Sequence, residues 1–171
     1  MQLVSNFNGH WQALTKQWEE ECQNYGENFE DYAAASMPIL EELASSEPTN
    51  RAAGVYAATD GNGKYIAACH ANCSHLPGYD GKVLRIRHIT FSPDFDFGDS
   101  HVLRSYEDAL VSVFVGTISL SFNEMKARHI KFHLRSFAEI QFAHRFTEEA
   151  EKDGNFKEVK MKGAWIYLSK T

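Results

Sequence analysis

The stretch Gly81–His101, GKVLRIRHITFSPDFDFGDSH, decides how the rest of the chain is read. Side chains of an extended strand alternate between two faces. Here Arg85 and Arg87 alternate with Leu84, Ile86 and His88, in a run that also holds Val83, Ile89 and Phe91. The run predicts a strand. It has to end near Phe91, because Pro93 cannot donate to a sheet ladder and biases Ser92 toward extended geometry. Gly98 follows in a polar, acidic loop, and a helical pattern begins beyond it. Strand, proline, glycine-containing loop and helix start form an order that turns unpaired backbone N–H groups toward an anion, so this junction is a candidate phosphate site.

Upstream of this stretch, Gln2–Ser5 suits a short strand. Trp11, Leu14, Trp18 and Cys22 recur at spacings of three and four, which predicts an amphipathic helix over His10–Tyr25 stopped by Gly26. Asn28–Ser46 has a second helical pattern, with Asn28 as cap and Pro38 inside it, where a kink or break is expected. Ala53–Thr59 and Lys64–His70 or beyond read as strands joined through Asp60-Gly61-Asn62-Gly63, the strongest hairpin turn in the chain. With the strand at 82–91 they make an antiparallel meander.

Downstream, Val102–Ala127 is ambiguous in period. Leu103, Tyr106, Leu110, Val113, Phe114 and Ile118 share a helical face, whereas residues 118–122 alternate. Its length favours a helix, with 109–122 as a buried run too short and too polar to span a bilayer. His129–Leu134 reads as a strand, Phe137–Lys152 as a helix, and Phe156–Ser169 as one or two strands with Gly163 as a bend or bulge.

The 171 residues suit one domain over 1–171, and 43% apolar with 23% charged residues is a globular composition. A net charge of -6 disfavours nucleic acid or an anionic membrane surface as a partner recognised by bulk charge, although it leaves room for a local basic patch. Three cysteines give no disulfide framework, and the first residues lack a signal-peptide pattern, so a cytoplasmic protein with free thiols is expected.

Cys69, His70, Cys73 and His75 invite a zinc reading, but in a strand Cys69 and Cys73 would stand roughly 13 Å apart at about 3.3 Å per residue, so no metal is expected. His129 and His133 would share an ion on a helix. Ile130, Phe132 and Leu134 make their segment a strand, with both histidines on its polar face. No nucleophile elbow or Walker loop is present. Cys22 lies on the apolar stripe of its helix and reads as core. His88, on a strand beside the candidate anion loop and titrating near neutrality, is the candidate general base.

The order β, α, α, β, β, β, α, β, α, β resembles that of the GNAT superfamily of acyl-CoA-dependent N-acetyltransferases over nearly the whole chain. The hairpin at 60–63, the strand end Ile89-Thr90-Phe91-Ser92-Pro93-Asp94-Phe95, and Lys152-Asp153-Gly154-Asn155-Phe156-Lys157-Glu158-Val159 are similar to features of that family. The resemblance implies an α/β (α+β) fold with a mixed, mostly antiparallel sheet and helices on both faces. In that family the fourth strand splays from the fifth, and acyl-CoA lies in the gap against backbone of the fourth. Here Ile89, Thr90 and Phe91 would offer that backbone, and the turn Gly98-Asp99-Ser100-His101 would face the pyrophosphate of acetyl-CoA or another acyl-CoA. The family's pyrophosphate loop, Q/R-x-x-G-x-G/A, falls on Asp96–His101 with a carboxylate in its first place and other residues for both glycines, which makes the donor site atypical. Its general-acid tyrosine has no counterpart in the helix at 137–152, and Tyr167 is the substitute. The implied function is acyl transfer to a small-molecule or protein amine. The alternative is a GNAT-like binding or regulatory module without catalysis, dimerising through an exposed sheet edge.

Overall fold

The structure, a computed structural model, describes residues 1–47, 52–98, 102–152 and 154–171, and of 102–105 and 138 the backbone alone. In chain order the elements are β1 (Gln2–Val4), a 3-10 turn (Asn6–Asn8), α1 (His10–Asn24), α2 (Met37–Ser45), β2 (Ala53–Thr59), β3 (Tyr65–His75) and β4 (Lys82–Phe91). They continue with α3 (Pro93–Phe97), α4 (Val102–Phe122), β5 (His129–His133), α5 (Phe137–Lys152), β6 (Phe156–Lys162) and β7 (Trp165–Lys170). The described strands form a seven-stranded sheet in the order β1-β2-β3-β4-β5-β7-β6. Neighbours run antiparallel except β4 and β5, which are parallel.

Alternation along the central strands divides the core in two. Cys69, Ala71 and Cys73 of β3, Leu84 and Ile86 of β4, and Ile130 and Phe132 of β5 face α4 and α5, where Leu110, Val113, Phe114 and Ala143 meet them. On the opposite face Trp11, Leu14 and Trp18 of α1 and Leu40 of α2 cover Val55, Ala57 and Ala68 of β2 and β3. The three thiols are free and buried in these cores.

Three expectations are corrected. The helical pattern over Asn28–Ser46 is interrupted near Pro38, as expected, but its first part is not a helix: residues 29–36 make successive turns, and α2 begins at Met37 with Pro38 in its first turn. A first-turn proline forfeits an N–H that has no intrahelical acceptor, so Pro38 starts a helix there rather than kinking one. The acidic loop expected after Ser92-Pro93 is a short helix instead, α3, again opened by a proline and with Asp94 and Asp96 in its first turn, where carboxylates suit the helix dipole. Residues 109–122 are helical as expected but buried on one face only, since Val115 and Phe122 are 56% and 57% exposed. Gly116, the single turn signal in that run, serves close packing: a Cβ there would lie 2.5 Å from Met1 Cγ. No described helix is long and apolar enough to cross a membrane.

Phe114 is fully buried, with ring centroids 4.5 Å from Phe132 and 4.7 Å from Phe146, so it ties β5 and α5 to α4. Phe114→Ala is expected to cost about 3–5 kcal/mol in urea denaturation, and Val115→Ser on the exposed face of the same helix to stay within about 0.5 kcal/mol.

Candidate functional site

Strand β4 has different partners along its length. On one side it pairs with β3 from Lys82 to Phe91. On the other it pairs with β5 only through Val83–His129, Leu84–Ile130, Arg85–Lys131 and Ile86–Phe132. Past Ile86 no described strand lies on the β5-facing edge of β4, and β5 passes through Leu134 toward α5. The register against β3 slips at this point: His70 faces Arg87 while Ala68 faces Thr90, so His88 and Ile89 are set against Cys69 alone. This is a β-bulge, and His88 within it has φ +51°, a left-handed conformation that L side chains rarely adopt. The bulge breaks the period-two pattern of the sequence after Arg87. His88 therefore lies beside His70, their rings stacked with centroids 6.4 Å apart.

The gap past Ile86 is a cleft of about 240 Å³. Ile89, Thr90 and Phe91 of β4 line it, with Tyr32 and Ser36 before α2, Tyr106 of α4, and Arg135, Ser136 and Glu139 where β5 gives way to α5. Ser136 and Glu139 form a capping box. Ser136 Oγ accepts the Glu139 N–H at 3.1 Å, and Glu139 Oε2 accepts the N–H groups of Arg135 at 2.5 Å and Ser136 at 3.3 Å. The second carboxylate oxygen of the buried Glu139 accepts the Tyr106 hydroxyl at 3.4 Å. The Tyr106 ring packs at a tilt against Phe91, centroids 4.5 Å apart, and burial followed by the Glu139 charge holds its phenol well above the usual tyrosine range. Across the cleft the Tyr32 hydroxyl donates to the Phe91 carbonyl at 2.8 Å, and the hydroxyls of Ser36 and Thr90 are 2.7 Å apart.

The sequence-derived site residues divide three ways. His88, Ile89, Thr90 and Phe91 lie at the bulge and along the cleft. Tyr167 does not: it is paired with Lys131, which is paired with Arg85, so it stands on a rung below the opening. Gly98 is extended, with φ -74° and ψ 162°, and so does not supply a left-handed turn. Asp99, Ser100 and His101 lie outside the described residues. Sequence reasoning missed Tyr32, Tyr106 and Glu139. The Ser136-x-x-Glu139 spacing before a helical pattern was the available signal for the last.

The imidazoles near the opening are held neutral. Burial, then His88 and the guanidinium groups of Arg87 and Arg85, push His70 down to about 4. Burial, then Arg135 and Arg87, lower His88 and His133 as well. By contrast burial pushes the Cys69 thiol up to about 12 and raises Cys22 and Cys73, so none of the three is a thiolate at neutral pH. A larger hollow of about 380 Å³ lies beside the β2–β3 hairpin, but its lysine, Lys64, already pairs with Glu21 at 3.1 Å and with Asp94. No protein-family model matches the chain, and no curated protein matches it.

A histidine depressed in the folded state binds its proton more tightly once unfolded. Stability from His70 is therefore complete above the unfolded value near 6.5 and lost as pH falls toward 4. The urea midpoint is expected to drop across pH 6.5 to 4, and His70→Gln to flatten that part of the profile.

Proposed function

We propose that the chain is an acyl-CoA-dependent N-acyltransferase of GNAT type with an atypical donor site, acting on an amine. The observation that carries this reading is the parallel β4–β5 pair that parts after Ile86–Phe132, with a left-handed histidine at the point of parting. An unpaired strand edge offers ladder N–H and C=O groups to an extended amide-bearing chain, which suits a pantetheine arm. The Phe91 carbonyl is committed to Tyr32, so Ile89 and Thr90 are the part of that edge best suited to the arm.

When bound, an acyl-CoA supplies an acyl thioester open to attack by a neutral amine. His88 is held uncharged by burial and by the positive charge of Arg135 and Arg87, as a base working near pH 7 must be. Its Nδ1 is buried without a hydrogen-bond partner among the described residues. It takes the proton of the acceptor ammonium. Tyr106, kept protonated and fixed by Glu139, holds a proton on the cleft wall for the departing thiolate, a role that its position in the cleft suits better than the rung of Tyr167 suits that residue.

The second reading, a GNAT-like binding module without catalysis, is favoured by the carboxylates at the cleft. Glu139 and Asp96 both line it, and like charge opposes a diphosphate. Calorimetric titration separates the two. Acetyl-CoA is expected to bind the wild type weakly, and Asp96→Arg to tighten it about fivefold, on the order of 1 kcal/mol for reversing one partly screened charge. His88→Ala is expected to lower kcat by about 100-fold or more while leaving acetyl-CoA affinity unchanged. If neither the wild type nor Asp96→Arg binds acetyl-CoA or a longer acyl-CoA at millimolar ligand, the acyltransferase reading falls and the binding module stands.

A further inference from the structure

Among the described residues, the core that α1 and α2 form with their side of the sheet is built on β1, β2 and β3. Farther along the same face, β4, β5 and β7 carry a row of cations set among aromatic rings. Arg85 stands directly opposite Lys131, an arrangement of like charges that costs stability. Lys131 Nζ lies 4.8 Å from the centre of the Trp165 ring and 4.7 Å from that of Tyr167, while Arg87 Cζ lies 5.8 Å over Trp165. Arg85 donates to Asn72 Oδ1 and Ser74 Oγ, both neutral acceptors.

The Nε atoms of Arg85 and Arg87 are buried and have no hydrogen-bond partner among the described residues. None of Arg85, Arg87 and Lys131 forms an ion pair with a described carboxylate, although the chain has 23 acidic residues against 17 basic ones. Burial and their mutual repulsion lower the pKa of both Arg85 and Lys131. Buried donors are normally satisfied, and fixed cations normally find counter-charges within the same chain. Three together lacking them, in a chain of net charge -6, are arranged for a counter-charge from outside.

Geometry limits the size of that counter-charge. Adjacent strands lie about 4.8 Å apart and alternate residues roughly 6.6 Å apart, so the backbone positions of Arg85, Arg87 and Lys131 mark a triangle on the scale of one or two oxyanion groups, with the Arg85 head turned toward β3 and the Lys131 head toward β7. The net negative charge of the chain repels a long polyanion and favours a compact one. The bulge sets His88 beside Arg87 and against His70, at the upper end of this row. We infer that the row seats the anionic group of the acceptor, which is an amine that also bears a phosphate or a carboxylate. Its role as acceptor rests on the acyltransferase reading; the anion seat does not.

The test is calorimetric titration of the full chain at pH 7.5 and low salt, without acyl-CoA, using O-phosphoethanolamine, glutamate and ethanolamine. Binding of one or both anionic amines at millimolar concentration or below is expected, and no binding of ethanolamine. The stronger of the two identifies the oxyanion as phosphate or carboxylate. Arg87→Gln and Lys131→Gln are each expected to weaken that binding about tenfold, the loss of one charge-assisted hydrogen bond. Removing Lys131 also relieves repulsion, so an undiminished melting temperature in Lys131→Gln shows that weaker binding is not unfolding. Equal binding of ethanolamine, no binding of any of the three, or wild-type affinity in both variants overturns the seat. A protein that binds an anionic amine but no acyl-CoA keeps the seat and loses the acyltransferase reading; the reverse result loses the seat alone.

Discussion

Strand β4 has to satisfy two neighbours that run in opposite directions relative to it. With β3 it makes a long antiparallel ladder, and with β5 a parallel one of four rungs. An extra residue in one strand of a ladder sharpens its right-handed twist and bends it. Placed at His88, two residues past the last β5 rung, that bend carries the remainder of β4 along β3 and away from β5. The opening is thus set by backbone hydrogen bonding rather than by a deficit of side chains. What surrounds it follows: Tyr32, Phe91 and Tyr106 occupy the diverging ends, and α5 starts where β5 runs out of partners. The strain of a left-handed histidine, of order 1–2 kcal/mol, is tolerated because the β3 ladder holds the strand on both sides of it and the β5 ladder fixes the residues that lead into it.

The same strand also separates two electrostatic environments. The cleft contains carboxylates, Glu139 within the wall and Asp96 on its lining, whereas the sheet face below the opening carries Arg85, Arg87 and Lys131. His70, His88 and His133 are partly buried beside these cations, and burial first, the positive charge second, keeps all three neutral where a free imidazole would begin to charge. Aromatic rings hold Lys131 in place without cancelling its charge, a division of labour that a carboxylate partner could not provide.

Element order and type were largely legible in the sequence because long periodic runs encode them: the meander of β2–β4, the stripe of α1 and the strand at β5 follow from residue spacing, whereas 156–169 left one strand or two open and proves to be the antiparallel pair β6 and β7. The two proline errors share one cause. Proline is compatible with the first turn of a helix and incompatible with its middle, and periodicity cannot tell which of these a given position will be. The basic side of the sheet was half visible, since Arg85 and Arg87 alternate with apolar residues, as do Lys131 and His133. Their meeting on one face with Trp165 depends on the parallel β4–β5 register, which no local pattern states. The bulge left no mark at all, because histidine is not a residue that announces a left-handed backbone. Tyr32 and Tyr106 come to the cleft from segments 74 residues apart, beyond the reach of any spacing argument.

Glu139 joins two parts of the molecule that could otherwise move separately. One of its oxygens closes the first turn of α5 and the other holds Tyr106 on α4. Any outward swing of Tyr106 that admits a bulkier occupant must either break the phenol–carboxylate bond or pull the carboxylate off the helix end, leaving the N–H groups of Arg135 and Ser136 without their acceptor. Widening of the cleft and fraying of α5 are therefore coupled motions, and the breathing of the opening is governed by how firmly that helix is anchored at its start.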